Sequence, residues 1–223
     1  MKRSMYVILA AVVLSVIFST GCKKSQNTST KGSEMQEVLT PEQIAQWQEK
    51  LKTIEAVPVE AGEIGVIETN LGTIKFKFFT DAAPNHCANF KKLANSGFYD
   101  GTTFHRVIPG FMIQGGDINS RNDNPLDDGT GSPGYTVNAE FSGILKHKRG
   151  IVSMARKGND INSAGSQFFI MVADYPSLDG QYSIFGEVIE GMDVADKIVS
   201  VQRNERDRPL ENVYMKKVQV IKQ

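Results

Sequence analysis

The sequence predicts a mainly β domain, either a closed antiparallel barrel or a sandwich, flanked by helices. Short β-prone runs recur from about residue 62 to the C-terminus, between Gly-rich and Asn-rich loops. Helical periodicity occurs at only two points in that stretch. The residues before residue 62 differ in composition from the rest of the chain. The rest therefore forms one domain of ordinary size, which can bury a core without disulfides.

The N-terminus has the pattern of an export signal. Two basic residues precede an apolar run from Met5 to Phe18 and then small residues. Ser19-Thr20-Gly21-Cys22 resembles a bacterial lipobox, in which the cysteine becomes the lipidated first residue; leucine is usual where Ser19 stands. We expect residues 1–22 to be a signal peptide with a lipobox, and the protein to be an exported, membrane-anchored lipoprotein on the periplasmic or cell-surface side. The alternative is an ordinary signal peptide cleaved nearby, with Cys22 an incidental thiol.

Between this signal and the domain, residues 23–39 are mostly polar and indicate a flexible tether. An amphipathic helix is predicted over residues 40–56. Thr40 is the expected N-cap, Pro41 takes the first helical position, and Gln43 closes a capping box. An apolar stripe follows at helical spacing: Ile44, Trp47, Leu51 and Ile54. The helix packs on the adjacent domain, or binds a partner or a membrane surface.

Three local patterns follow. A β-hairpin is predicted over Glu63 to Phe79, with its turn at Asn70-Leu71-Gly72. A helix is predicted from Pro84 to Gly97, with Cys87, Phe90 and Ala94 as its buried stripe, so Cys87 is interpreted as a core residue and not a reactive thiol. A second helix is predicted near Met192 to Ser200, with Val194, Ile198 and Val201 facing inward.

Charge and motif patterns argue against several classes of function. Acidic and basic residues are equal at 25 each, so nothing favours nucleic-acid binding. The three histidines lack metal-ligand spacing, and no serine lies in a nucleophile elbow. Gly129 to Gly134 fits G-x-G-x-x-G, but a polar loop precedes it and a β-prone run follows it, so we reject dinucleotide binding.

The segment from Phe104 to Asp117 places one arginine among apolar side chains on two predicted short strands. Alternation along a strand predicts Phe104 and Arg106 on one face and His105 on the other. Arg106 would then offer an always-charged set of donors beside the apolar Phe111 and Met112. Such a site suits electrostatic catalysis without a covalent step.

Three motifs together resemble those of the cyclophilin family of peptidyl-prolyl cis/trans isomerases. They are Phe104-His105-Arg106 with Pro109 to Asp117, Gly165-Ser166-Gln167-Phe168-Phe169-Ile170, and Leu178-Asp179-Gly180-Gln181-Tyr182-Ser183-Ile184-Phe185-Gly186. The resemblance covers residues 62–223. It implies a closed eight-stranded antiparallel barrel capped by two α-helices, to which this chain would add the N-terminal helix.

The resemblance also implies the site. Arg106, Gln114 and Phe111 would be catalytic, and the substrate would contact Met112, Gly129, Ala155, Arg156, Gln167, Phe169, Leu178 and Tyr182. Three positions depart from the best-known eukaryotic pattern: Ser177 stands for tryptophan, Tyr182 for histidine and Arg156 for asparagine. Because the tryptophan indole is absent at Ser177, we do not expect tight binding of cyclosporin. We expect these departures to affect catalysis less.

We therefore expect an isomerase that rotates X-Pro bonds in exported polypeptides and so assists their folding. The expected partners are proline-containing polypeptides and, through the lipid, a membrane, and we expect a monomer. No cofactor or metal is required. The alternative is a proline-peptide binding module or holdase chaperone with incidental turnover.

Overall fold

Eight antiparallel strands form one sheet in the computed structural model, which describes residues 38–223. The strands are β1 (Glu63–Thr69), β2 (Gly72–Phe78), β3 (Arg106–Ile108), β4 (Met112–Gly115), β5 (Ile151–Met154), β6 (Phe168–Met171), β7 (Ile184–Glu190) and β8 (Met215–Lys222). Their order across the sheet is β3-β4-β6-β5-β7-β2-β1-β8. The predicted signal peptide, including Cys22, and most of the predicted tether lie outside the described residues.

Three α-helices and two short 3-10 helices complete the described part of the chain. The α-helices are α1 (Pro41–Thr53), α2 (Pro84–Asn95) and α3 (Met192–Val199), and the 3-10 helices span Ile118–Arg121 and Pro176–Leu178. α2 packs against β7 and β8, and α3 packs against β2. No helix among residues 38–223 is long and apolar enough to cross a membrane.

The sheet is an open half-barrel, so the closed barrel expected from the resemblance is wrong. The edge strands β3 and β8 do not pair. β3 has only three residues, and the chain ahead of it bonds instead to the chain ahead of β8: the Phe104 amide donates to the Val213 carbonyl at 2.8 Å. A single isolated bridge joins Thr103 to Tyr214. The two edges therefore meet only beside the ends of these strands.

Alternation along the central strands creates two apolar clusters, one on each face of the sheet. Ile113 of β4 and Phe168 of β6 belong to the main core, together with the buried ring of Phe90 from α2. Their strand neighbours Met112 and Phe169 belong to a smaller cluster on the opposite face. The side-chain period of two in a strand produces this division. The smaller cluster forms the base of the site described below.

The helix α1 is docked on the sheet domain. Its predicted capping box is present at Thr40, and Leu51 is fully buried. The ring of Trp47 meets the edge of Phe98 at a centroid distance of 6.2 Å. Just before the helix, the Leu39 amide donates to the Arg121 carbonyl at 2.9 Å. Packing on the adjacent domain is therefore the role that the structure gives its apolar stripe.

Candidate active site

The register of four strands places a row of polar and aromatic side chains across the outer face of the sheet. Arg106 of β3 pairs with Gln114 of β4, which pairs with Phe169 of β6. Phe169 in turn pairs with Ser153 of β5. Because directly paired residues share a face, these four side chains lie side by side on the face opposite the main core.

A cavity of about 170 Å³, which we call the small cavity, lies along this row. Nine residues line it: Arg106, Phe111, Met112, Gln114, Ala155, Arg156, Phe169, Leu178 and Tyr182. All nine belong to the site implied by the sequence resemblance. Residues from β3, β4, β6, one 3-10 helix and three loops are thus brought to one depression in the surface.

The floor of the small cavity is apolar and firmly supported. Met112 is 1% exposed and Phe169 is 5% exposed. His147 stacks on Phe169 at a centroid distance of 6.1 Å, while its Nδ1 lies 3.2 Å from Asp179 and its Nε2 lies 3.3 Å from the Ser153 hydroxyl. Burial lowers the pKa of His147, although Asp179 opposes the shift. His147 thereby supports the ring of Phe169, and its lowered pKa favours the neutral form.

Arg106 holds an uncompensated positive charge at the edge of the small cavity. Its side chain makes no hydrogen bond or ion pair with any of residues 38–223. A guanidinium keeps its charge at any physiological pH and carries five N–H donors. These donors are available to a group bound in the cavity.

The sequence prediction that Phe104 and Arg106 share a face is wrong, because Phe104 is buried while Arg106 is exposed. Regular strand begins only at Arg106, and Phe104 is buried in the main core. His105 and Arg106 both line a cavity of about 640 Å³, the large cavity, which shares Arg106 and Gln114 with the small cavity. Burial lowers the pKa of His105 to about 4, and the charge of Arg106 adds to this shift.

A third cavity, of about 520 Å³, adjoins the small cavity along the sheet and is called here the adjacent cavity. Gly129 and Gln167, the two remaining site residues within the described chain, line it. Nε2 of Gln167 donates to the carbonyls of Gly129 at 2.9 Å and Gly131 at 3.0 Å. Its Oε1 accepts from Nε2 of Gln114 at 3.0 Å. One side chain therefore connects the loop at Gly129–Gly134 to the row that contains Arg106.

Asp117 organises this loop, and the sequence analysis assigned it no role. Its carboxylate accepts hydrogen bonds from the amides of Gly129 and Asn119. A Cβ at Gly131 would collide with the carboxylate, so glycine is required there. Burial raises the pKa of Asp117 to about 6, against the backbone hydrogen bonds, which lower it. The sequence feature that could have pointed to Asp117 is the Gly-Gly-Asp ending of the first motif.

The loop from Gly129 to Gly134 has none of the context of a dinucleotide-binding turn. No helix follows it. Among residues 38–223, no group of three or more His, Cys, Asp or Glu side chains is arranged to hold a metal ion. The polar side chains at this site include the Arg106 guanidinium and the amides of Gln114 and Gln167, and the floor is apolar.

Comparisons with known proteins identify the family. The family model described as cyclophilin type peptidyl-prolyl cis-trans isomerase/CLD matches residues 65–220. A peptidyl-prolyl cis-trans isomerase of Arabidopsis thaliana is 45% identical over 160 residues, which cover 69% of this chain and 93% of that protein. Peptidyl-prolyl cis-trans isomerase B of Bacillus subtilis is 49% identical over 123 residues, which cover 55% of this chain and 80% of that protein.

A solved structure supports the same family assignment. The cyclophilin type peptidyl-prolyl cis-trans isomerase of Cryptosporidium parvum, in the presence of the dipeptide Ala-Pro, superposes with a TM-score of 0.65 at 35% identity and covers 72% of this chain and 99% of that chain. A mainly β half-barrel is thus common to both. The chain belongs to the cyclophilin-type family, and it is a peptidyl-prolyl cis-trans isomerase.

Proposed function

We propose that Arg106 catalyses rotation of X-Pro bonds by stabilising the twisted amide. Amide resonance gives the rotation a barrier of about 18–20 kcal/mol. As the bond twists, the prolyl nitrogen loses conjugation and regains a lone pair, which can accept an N–H from the guanidinium. This bond forms fully only at the transition state, so it lowers the barrier without tightening substrate binding equally. The unpaired guanidinium beside the small cavity is the observation that carries this proposal.

The surroundings of Arg106 favour this mechanism. The small cavity is lined on its floor by Met112 and Phe169, which would hold the proline ring away from water. In a dry site the guanidinium is less screened, so its contact with the nitrogen gains strength. Gln114, held by Gln167, would orient the guanidinium and the neighbouring carbonyl. Bond rotation needs no covalent bond to the protein and no proton transfer.

Proline-containing polypeptides are the proposed substrates. The Ala-Pro dipeptide of the similar solved structure suits a cavity of about 170 Å³. Ala155 and Gln167, which line the adjacent cavity, would contact the residues before proline. We further propose that the substrates are exported polypeptides, met by a monomeric enzyme tethered to a membrane through Cys22. The apolar run and the lipobox-like residues of the N-terminus support this location.

The mechanism is tested with the full-length chain and a short Ala-Pro peptide, whose cis/trans exchange is followed by NMR. Arg106→Ala is expected to lower the catalysed exchange rate by about 10²- to 10³-fold, the usual cost of removing one transition-state donor. Arg106→Lys keeps a charge but loses the planar set of donors, so it should recover only part of the rate. Arg203→Ala, which removes an exposed arginine outside the three cavities, is the matched control.

Peptide affinity separates this mechanism from the alternative of a proline-peptide binding module or holdase. The proposal requires Arg106→Ala to bind the peptide nearly as tightly as the parent while losing turnover. A variant that keeps both rate and affinity would refute it. A folded parent that binds without accelerating exchange would establish the binding module instead.

The proposed location has its own test. Cells expressing the full-length chain are labelled with a fatty-acid analogue, and Cys22→Ser is compared with Cys87→Ser. Incorporation that is lost only in Cys22→Ser supports the lipid anchor. Equal incorporation in both variants, or none in the parent, argues for an ordinary signal peptide.

A further inference from the structure

The helix α1 lies outside residues 65–220, which match the family model, yet it contacts a loop of the substrate groove. Nε2 of Gln48 donates to the carbonyl of Ser132 at 3.1 Å. Two residues further on, a Cβ built at Gly134 would lie 3.0 Å from Cβ of Gln48. The helix therefore bonds to one residue of the loop and packs closely against another.

Gly134 is suited to this approach for two reasons. Its φ is +84°, a backbone conformation that residues with a side chain rarely adopt. A side chain at this position would also begin in unusually tight contact with Gln48. The sequence of the loop is thus compatible with a helix held at this distance.

The loop is fixed at its other end by Asp117, whose carboxylate accepts the Gly129 amide. Between the two anchors lie the carbonyls of Gly129 and Gly131, both of which accept from Gln167. Gln167 in turn bonds to Gln114, the strand partner of Arg106. The helix contact at Ser132 is therefore joined to the row of side chains beside the small cavity through the peptide backbone from Ser132 to Gly131 and then through the hydrogen bonds of Gln167.

The docking of α1 gives Gln48 a defined position. Leu51, one turn further along the helix, is fully buried, and Trp47 packs on Phe98. A capping box and Pro41 fix the first turn. A donor on a docked helix can hold a loop at lower entropic cost than a donor on a mobile segment.

We propose that α1 is a positioning element of the active site, in which Gln48 holds the Gly129–Gly134 loop so that Gln167 and the adjacent cavity are aligned for the residues before proline. This inference rests on the proposed isomerase mechanism and extends it. Gln48 is a positioning residue because it acts on the loop and not on the substrate. Its loss weakens peptide binding and leaves the chemical step at Arg106 largely intact.

The test uses the full-length chain and the peptide Gly-Ala-Ala-Pro-Ala, with affinity and exchange rate separated by NMR line shapes over a titration. Gln48→Ala and Gln48→Glu both remove the donor, and Gln46→Ala, an exposed glutamine of the same helix, is the matched control. The two Gln48 variants should bind about three- to tenfold more weakly, the effect of one neutral hydrogen bond, with the saturated rate within about twofold of the parent.

A second readout distinguishes positioning from stability alone. The side-chain amide resonances of Gln114 and Gln167 should shift in both Gln48 variants and stay in place in Gln46→Ala. Melting temperatures should fall by less than about 4 °C, the change expected for one lost bond in a domain of this size. A lower melting temperature with unchanged affinity and unchanged resonances would overturn the proposal.

The two proposals fail in different ways. An active parent whose Gln48 variants behave like Gln46→Ala overturns the role of α1 alone. A folded parent that does not accelerate exchange overturns the isomerase mechanism, and with it a positioning role in that reaction.

Discussion

The guanidinium carbon of Arg156 lies 4.6 Å from the ring centroid of Tyr182, so a cation stacks on an aromatic face at the rim of the small cavity. Nε of Arg156 also donates to the Gln181 carbonyl at 3.0 Å, and Nη1 donates to the carbonyls of Lys157 and Gly158. The side chain therefore ties the loop after β5 to the loop before β7. Both residues stand where the resemblance showed departures from the eukaryotic pattern, and here they form a pair.

Replacing Arg156 by alanine is expected to weaken peptide binding about three- to tenfold, with little change in the saturated exchange rate. The substitution removes a cation–π contact of about 0.5–1 kcal/mol and the bonds that hold the rim together. Tyr182→Ala should have a similar effect, whereas Tyr182→Phe keeps the ring and should resemble the parent. Additive losses in the double alanine variant, measured by peptide titration, would contradict the pairing.

The thiol of Cys87 is expected to be unreactive in the folded protein. It is buried in the main core, its Sγ lies 3.4 Å from the Phe185 carbonyl, and burial raises its pKa to about 12. Because the thiolate is the reactive form, alkylation of Cys87 should be negligible at pH 8 and rapid in denaturant. Peptide mass mapping checks this prediction and separates Cys87 from Cys22. Labelling of Cys87 at equal rates in both states would show that the residue is exposed.

Local patterns in the sequence predicted much of the fold because the elements concerned are specified by neighbouring residues. The hairpin at Asn70-Leu71-Gly72 is confirmed, with Ile67 opposite Ile74 in its register. The helix predicted from Pro84 and the capping box at Thr40 are also present. In each case a turn or cap residue, together with a short run of regularly spaced apolar residues, is enough to predict the element.

The closure of the sheet and the surroundings of His105 could not be predicted in this way. Both depend on contacts between distant parts of the chain, such as the bond from Phe104 to Val213. The role of Asp117 was hidden for the same reason, since its amide partner Gly129 lies twelve residues further along. Nine of the residues named by the motif resemblance line the small cavity, but the resemblance gave no information on what supports them.

The ion pair between Lys91 and Glu63 is expected to contribute strongly to stability. The two side chains are 10% and 14% exposed, their charged atoms lie 2.7 Å apart, and Lys91 also donates to the Pro58 carbonyl at 3.0 Å. Burial alone would raise the pKa of Glu63, but Lys91 and the Glu60 amide outweigh it, so the pKa is lowered. The stabilisation is present at neutral pH and is lost as the pH falls through that lowered pKa.

Lys91→Met should lower the free energy of unfolding by about 3 kcal/mol, because it leaves a carboxylate buried without its partner. Adding Glu63→Leu should recover much of this loss, since the unpaired charge is then gone. Lys52→Met is the control: the Lys52–Glu49 pair is as short, at 2.6 Å, but lies 54% and 72% exposed. It should cost less than about 1 kcal/mol. Equal losses for the two lysines in denaturant titrations would contradict the argument.

The stability of the protein is expected to depend on pH through Asp117. Its pKa rises from 3.8 to about 6 because burial penalises the carboxylate, and the nearby Asp128 adds to the shift. The folded protein therefore holds this proton more tightly than the unfolded chain does. The resulting stabilisation is complete below the unfolded pKa and is lost as the pH rises through about 6.

Asp117→Asn removes this titration and so provides the comparison. Between about pH 4 and pH 7, the free energy of unfolding of the parent should fall relative to that of the variant by up to about 3 kcal/mol, the value of a shift of about two pKa units. At neutral pH the variant should nevertheless bind peptide less tightly, because the asparagine NH₂ group faces a loop amide that needs an acceptor. Denaturant titrations at several pH values measure the first effect, and peptide titration measures the second. Parallel stability curves would show that Asp117 titrates at its ordinary pKa in the folded protein.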